Sequence, residues 1–510
     1  MSHLDRLATL RNAESLPLAA LPVIAIDDLH RAMVEAVDGG LRVSALFGDA
    51  PSTADGVRLY VVLGDSRTAT LHVAKSHLTG DSFPSVTPEV PAAHLFEREI
   101  AEQFGVRPEG HPWLKPVRFH ASYRPGHDAW GQASGENPVI GVTDYFRVEG
   151  EEIHEVAVGP VHAGVIEPGH FRFQCHGEHV FHLEISLGYQ HRGAEKTLVG
   201  GPNKRTIHTL ETVAGDTSIG HATAYCQSVE ALADCEVPRR ARVLRGIALE
   251  LERLANHAGD LGALAGDVGF LPTQSYCGRL RGDFLNLTAL VCGSRFGRGM
   301  VRPGGVMFDV DDDRRRTFIE RLDVALRDVT NAAELLWNSA SVQARFEETG
   351  VVPRESALAL GLVGPAARAS DVDFDVRRDF PTGVFRSASV PVAIHPDGDV
   401  YSRAFIRWME IQNSVTFIRE QLSTLADGSI RADVGPLKPD HVAVSLVEGW
   451  RGEICHVALT DGEGRFSRYK IVDPSFHNWS GLAMALRDQQ ISDFPLCNKS
   501  FNLSYCGNDL

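Results

Sequence analysis

The chain has 510 residues and a formal net charge of -16. That is longer than one hydrophobic core ordinarily supports, and too acidic for a general nucleic-acid binder, which needs clustered Lys and Arg on phosphate. Apolar content of 43% and charged content of 23% exclude extensive disorder.

At the start, Asp5, Arg6, Arg11 and Glu14 interrupt the apolar residues of 1–21, which therefore lack the continuous apolar core of a secretory signal. No charge-free apolar run reaches about 18 to 20 residues anywhere, so no membrane span is predicted. The expected compartment is the cytoplasm. Leu41–Phe47 and Val57–Leu63 have the β-branched and aromatic content of strands, with turn signals at Gly64-Asp65 and Gly80-Asp81. They predict a small α+β domain over residues 1–120. Residues 121–158, with Pro125, Gly126, Gly131 and Pro138 among polar residues, read as a linker, and a second domain is expected to begin at Gly159.

Within 159–510, His176, His179 and His182 fall in a stretch whose Phe173, Val180, Phe181, Leu183 and Ile185 indicate extended structure. Side chains alternate there, so the three histidines are not expected to converge on one ion. Ile247, Leu251, Leu254, Ala258 and Leu261 recur at steps of three and four, the mark of a buried helix face. A second stripe, Phe405, Trp408, Ile411, Val415, Ile418 and Leu422, follows Ser402, the expected N-cap. Two long helices imply a bundle. Cys455–Leu459 and Tyr469–Val472, separated by Asp461-Gly462-Glu463-Gly464, predict a hairpin. Eight cysteines are scattered without a Cys-x-x-Cys pair and are expected to be free, mostly buried thiols.

Three motifs stand in order: Gly159-Pro160-Val161-His162, Glu167-Pro168-Gly169-His170-Phe171-Arg172, and Gly188-Tyr189-Gln190-His191-Arg192-Gly193-Ala194-Glu195-Lys196. Together they resemble the large subunit of membrane-bound (group 4) nickel-iron hydrogenases and the quinone-proximal subunit of respiratory complex I. Asp473-Pro474-Ser475-Phe476-His477-Asn478 resembles the segment before that family's last helix. Phe83–Pro88, Ala92–Ile100 and Gly110-His111-Pro112 resemble the small accessory subunit that lies beside it in complex I. The domain order is similar to that of the formate hydrogenlyase large subunit. The resemblance implies an α+β fold: an accessory-type domain, then a mainly helical large domain with short β elements.

In such hydrogenases two pairs of cysteine thiolates, soft anionic ligands, hold the metal. Aligned on His221–Tyr225 and on Ser500–Leu510, the four ligand positions are Ala214, Thr217, Ser504 and Gly507, with Cys506 between the last two. The resemblance therefore implies that the nickel-iron centre and hydrogenase activity are absent. In the complex I relative the same cavity takes a quinone headgroup, with a His and a Tyr as donors and an Asp supporting the His. His170 and Asp267 match two of these, and Gly215 stands at the Tyr position.

Glu195 matches an acidic residue associated with proton passage, expected beside Arg192, and Arg377 matches an Arg that projects toward the cavity. For both, a structural ion pair is the competing expectation. The implied partners are an iron-sulfur subunit that carries the clusters and integral membrane subunits that hold the chain at the inner face of the membrane. The expected function is that of an electron-transfer subunit of a complex I-like oxidoreductase. Two alternatives remain: a structural or coupling subunit, and a quinone-binding or other cavity enzyme built on His170 and Asp267.

Overall fold

The strands expected near the start form because their residues are β-branched and apolar on both faces. In the structure, a computed structural model that describes residues 3–50, 56–131, 138–162 and 166–510, β1 (Ala8–Arg11), β3 (Arg42–Asp49), β4 (Val57–Asp65) and β5 (Thr70–Leu78) make an antiparallel sheet of order β1-β5-β4-β3. Helices α1 (Ile26–Asp38) and α2 (His94–Phe104) cover it. A Cβ on Gly48 would lie 2.6 Å from the Phe104 ring of α2, and one on Gly64 would lie 3.1 Å from Phe380. The sheet is thus pressed between its own helix and the second half of the chain.

Strand β2 (Glu14–Pro17) leaves this sheet. It pairs antiparallel with β9 (His441–Gly449), Ser15 opposite Ala443, as the last strand of a sheet that continues through β10 (Gly452–Thr460) and β11 (Phe466–Val472). The expected hairpin is the β10–β11 pair. Part of the stretch read as linker is also structured. Ile153–Val158 is a strand, β6, paired with β7 (His170–His176), which pairs in turn with β8 (His179–Ser186). The β-branched Ile153, Val156 and Val158 carry that signal. Residues 132–137 of the same stretch lie outside the described residues.

The large half is built on α4 (Ser218–Leu232), α5 (Arg239–Asp267), α6 (Leu271–Cys292), α7 (Asp312–Trp337) and α8 (Val400–Ser423). Helix α5 packs against both α6 and α8, and all five residues of its expected stripe are buried. At Gly262 a Cβ would lie 2.8 Å from that of Cys277, so glycine sets the closeness of α5 and α6. The start of α8 differs from expectation. Asp399 is the N-cap, its carboxylate accepting from the Ser402 amide at 2.7 Å, and Ser402 is already inside the helix. The carboxylate outcompetes the hydroxyl as a charged acceptor facing the helix dipole. No helix among the described residues is long and apolar enough to cross a membrane.

A buried ionic lattice joins these helices to the last sheet. Glu410 of α8 accepts from Arg368 at 2.5 Å, His257 at 2.7 Å and Arg253 at 3.2 Å. Arg368 also donates to Glu448 of β9 at 2.8 Å, and Glu250 accepts from Arg377 and Ser414. Burial disfavours the Glu410 charge, yet Arg368 and Arg253 hold its carboxyl well below the usual range.

Glu410→Ala takes one carboxylate from each of two buried guanidinium groups and from His257, and is expected to cost about 3–5 kcal/mol. Removal of Arg279, whose partners Asp283 and Asp328 are at the surface, is expected to cost about 0–1 kcal/mol. Denaturant melts of the two variants check the contrast. Leu254→Ala, at a position with 0% exposure, is expected to lower stability by about 2–5 kcal/mol in the same measurement.

Candidate functional site

The loop 188–193 is shaped by its glycines. Gly188 has φ +100°, and a Cβ there would lie 2.9 Å from the Arg118 carbonyl. This loop clamps the last helix, α10 (Tyr505–Asp509): the Gly188 and Gln190 amides donate to the Asp509 carboxylate, and the Arg192 and Gly193 amides donate to the Leu510 carbonyl. The Arg192 side chain then donates to the carbonyls of Thr212 (2.9 Å), Val213 (3.1 Å) and Cys506 (3.3 Å). One guanidinium therefore binds segment 212–217 to segment 504–507.

The four aligned ligand positions are all buried in this region. Each is committed elsewhere. Ala214 has no donor atom in its side chain. The Thr217 hydroxyl takes a hydrogen bond from Arg451, which makes a bidentate pair with Asp216 at 2.6 and 2.8 Å and stacks on Trp450. The Ser504 hydroxyl caps α10, accepting from the Gly507 amide at 2.9 Å. At Gly507 a Cβ would lie 2.6 Å from the Asp473 carboxyl carbon, so this carboxylate fills the space a ligand side chain would need.

Asp473 is the N-cap of α9 (Pro474–Ala485) and ends a buried chain. The Tyr469 hydroxyl lies 2.9 Å from His456 Nδ1, His456 Nε2 lies 3.1 Å from His221 Nδ1, and His221 Nε2 donates to the Asp473 carboxylate at 3.0 Å. An ionised Asp473 accepts only, so the His221 Nε2–H is the donor of that bond. Burial pushes His456 well below its usual value, which keeps that ring neutral. Cys506 is the one thiol beside these positions. Burial and the adjoining Glu167 carboxylate push it up to about 11, so it stays protonated at neutral pH. A nickel-iron centre needs several thiolates at once. The donor set here does not fit it. Among the described residues no group of three or more His, Cys, Asp or Glu side chains is placed to hold a metal ion.

His170 begins β7. Its Nδ1 is 3.3 Å from the Gly159 carbonyl, its Nε2 takes the Arg172 Nε–H at 3.3 Å, and its ring faces Tyr145. Arg172 is paired in turn with Glu155 at 2.8 Å. Asp267 ends α5, and partial burial pushes its carboxyl up to about 6 against the opposing pull of Lys499. No hydrogen bond or ion pair joins it to His170.

Glu195 starts α3 (Ala194–Leu198). It does not pair with Arg192, which is spent on main-chain carbonyls. It accepts from Arg468 at 2.8 Å, the Ile471 amide at 2.9 Å and Lys470 at 3.1 Å. Lys470 also binds Glu99 of α2, and Glu99 pairs with Arg118. Burial alone would raise the Glu195 carboxyl, but the three cations hold it well below its usual range. Arg377 is held by Asp375 at 2.6 Å and Glu250 at 3.0 Å, away from segments 212–217 and 504–507.

His176 bonds Glu152 at the surface and His182 packs on Phe146. Most of the eight free cysteines are buried. Sequence reasoning missed Arg451, Asp216, His456 and the role of Asp473. Only the last had a local signal, an Asp followed by Pro and Ser at a helix start.

Comparison with known proteins follows the same division of the chain. The model of the respiratory-chain NADH dehydrogenase 30 Kd subunit matches residues 27–128, and that of the 49 Kd subunit matches 267–441 and 433–509. Hydrogenase-4 component G of Escherichia coli is 30% identical over 92% of this chain and 84% of its own length. Carbon monoxide-induced hydrogenase of Rhodospirillum rubrum is 33% identical over 68% of this chain and 97% of its own. An NADH-quinone oxidoreductase subunit of Clostridium beijerinckii is 32% identical over 66% of this chain and 91% of its own. A 30 Kd-type domain and a 49 Kd-type domain on one chain, locked together by a shared sheet, place this protein in the complex I 49 Kd and group 4 hydrogenase large-subunit family, in its fused form.

Proposed function

We propose that the chain is the fused large-type subunit of a membrane-associated, complex I-like oxidoreductase, and that the position of the nickel-iron centre has become a structural joint. It takes part in electron transfer by seating an iron-sulfur subunit, while membrane subunits anchor the assembly at the inner face of the membrane. The observation that carries this reading is the fate of the four ligand positions. Asp473 fills the space beside Gly507, and Arg451, Asp216 and Arg192 hold the facing segments by ion pair and main-chain hydrogen bonds. A coupling role without a redox reaction of its own is favoured by Glu195, whose carboxylate is bound by three donors and ionised at neutral pH. A quinone bound at His170 would meet a ring whose two nitrogens already face Gly159 and Arg172.

Metal analysis of the purified native complex is expected to find iron, from the companion subunit, without stoichiometric nickel, and hydrogen evolution is expected to be absent. Nickel at one per complex would overturn the reading. Glu195→Gln is expected to lower stability by about 3–5 kcal/mol through its stranded cations, and to leave the pH profile of electron transfer unchanged. A shifted profile at full stability would instead mark Glu195 as a proton relay.

A further inference from the structure

Two adjoining hollows open where the first turn of α5 meets residues 383–387. The larger is about 510 Å³ and the smaller about 320 Å³, and they share Arg242, Gly383, Val384 and Arg386. The larger lies along α4, at Thr223, Gln227 and Glu230, about two to four turns from Thr217. Neither involves segments 504–507.

Apolar walls of Leu249, Val384, Phe385 and Val447 line the larger hollow, and β2 closes one side with Ser15. Most of its charged lining is internally paired: Arg245 with Glu230 at 2.5 Å, Arg377 with Asp375, Lys438 with Asp234 at 2.5 Å, and Glu448 with Arg368. Glu14, which accepts from the Arg11 amide, and Glu236 stand on the larger hollow's side, and two further features favour a ligand. Thr223 is 6% exposed, and its buried hydroxyl has no hydrogen-bond partner. A buried hydroxyl without a partner costs free energy that a ligand oxygen would recover.

The second feature is a basic mouth in a chain of net charge -16. Arg239, Arg242 and Arg386 line the smaller hollow, together with Arg240 and Asp427, which pair with each other at 3.8 Å. Arg386 makes only a 3.4 Å bond to the Pro381 carbonyl, and no ion pair neutralises Arg239 or Arg242 among the described residues. The first turn of the 29-residue helix α5 lines the same hollow, with no side-chain cap and no acidic residue. Its free amides and positive dipole end favour an anion there.

The geometry points to a binding site for a small organic anion. A carboxylate or phosphate head sits among Arg239, Arg242 and Arg386, an apolar body fills the larger hollow, and an oxygen function on that body accepts from or donates to Thr223. The site stands apart from the vacated metal position and does not depend on the function proposed above.

Denaturing the purified native complex and identifying released small molecules by mass spectrometry is expected to yield such an anion. After its removal, calorimetry with 10-hydroxydecanoate and 10-hydroxydecyl phosphate decides which head is preferred. Decane-1,10-diol and inorganic phosphate are expected to bind at least about tenfold more weakly, as each supplies one half of the recognition. Arg242→Glu and Arg386→Glu are each expected to weaken the amphiphile by about tenfold or more. Thr223→Val, which keeps the side chain's shape and removes the unpartnered hydroxyl, is expected to weaken the amphiphile by several-fold while the complex keeps its melting temperature. The inference is overturned if the diol binds as tightly as the anions, if neither arginine variant changes affinity, or if folded complex binds none of the probes. It also fails if cross-links from position 386 reach a companion subunit and no anion is released.

Discussion

Four carboxylates and three guanidinium groups sit in the middle of the large half, where water does not reach them. Glu250, Asp375, Glu410 and Glu448 face Arg253, Arg368 and Arg377. Each charge alone would cost several kcal/mol to bury, so none is tolerable unless all are in place. The lattice consequently dictates the depth of α8 against α5, the path of residues 364–379 and the height of β9. The apolar stripes supply most of the driving force. The charges select one packing from the many that those stripes permit.

A second set of charges does the same for the seam between the halves. Glu99 and Glu195 share Lys470, with Arg118 and Arg468 completing the group. In relatives that keep the two domains on separate chains, such contacts would be an interface between subunits. Here they belong to one interior. The site inherits its rigidity from both lattices: the clamp on α10 comes from loop 188–193, which Glu195 anchors at one end, and Arg451 enters from the turn after β9.

The legible parts of the sequence were local. Leu41–Phe47 and Val57–Leu63 formed strands because β-branched, apolar residues need no distant information to prefer extended backbone. The α5 and α8 stripes were readable for the same reason, since periodicity is a property of one segment. Ser402 misled because two oxygen-bearing residues competed for one cap, and the carboxylate three positions earlier prevailed. The pairing of β2 with β9 was invisible: Ser15 and Ala443 have no local signal that they meet.

At the site, the motifs pointed to four positions, Ala214, Thr217, Ser504 and Gly507, none of them a cysteine. They did not expose what surrounds those positions, because Asp473, Arg451 and Glu167 are charged residues of ordinary appearance until the fold gathers them. The same applies to Glu195, whose motif suggested proton passage while its neighbours at 468 and 470 hold it ionised.

The excursion of β2 makes the fusion more than a tether. Were the two halves made separately, β9 would present a bare row of amides and carbonyls, the kind of edge that recruits strands from other molecules. Within a single polypeptide that partner is supplied at unit stoichiometry and high local concentration. The arrangement thereby covers one edge of the large domain's sheet from within the same polypeptide.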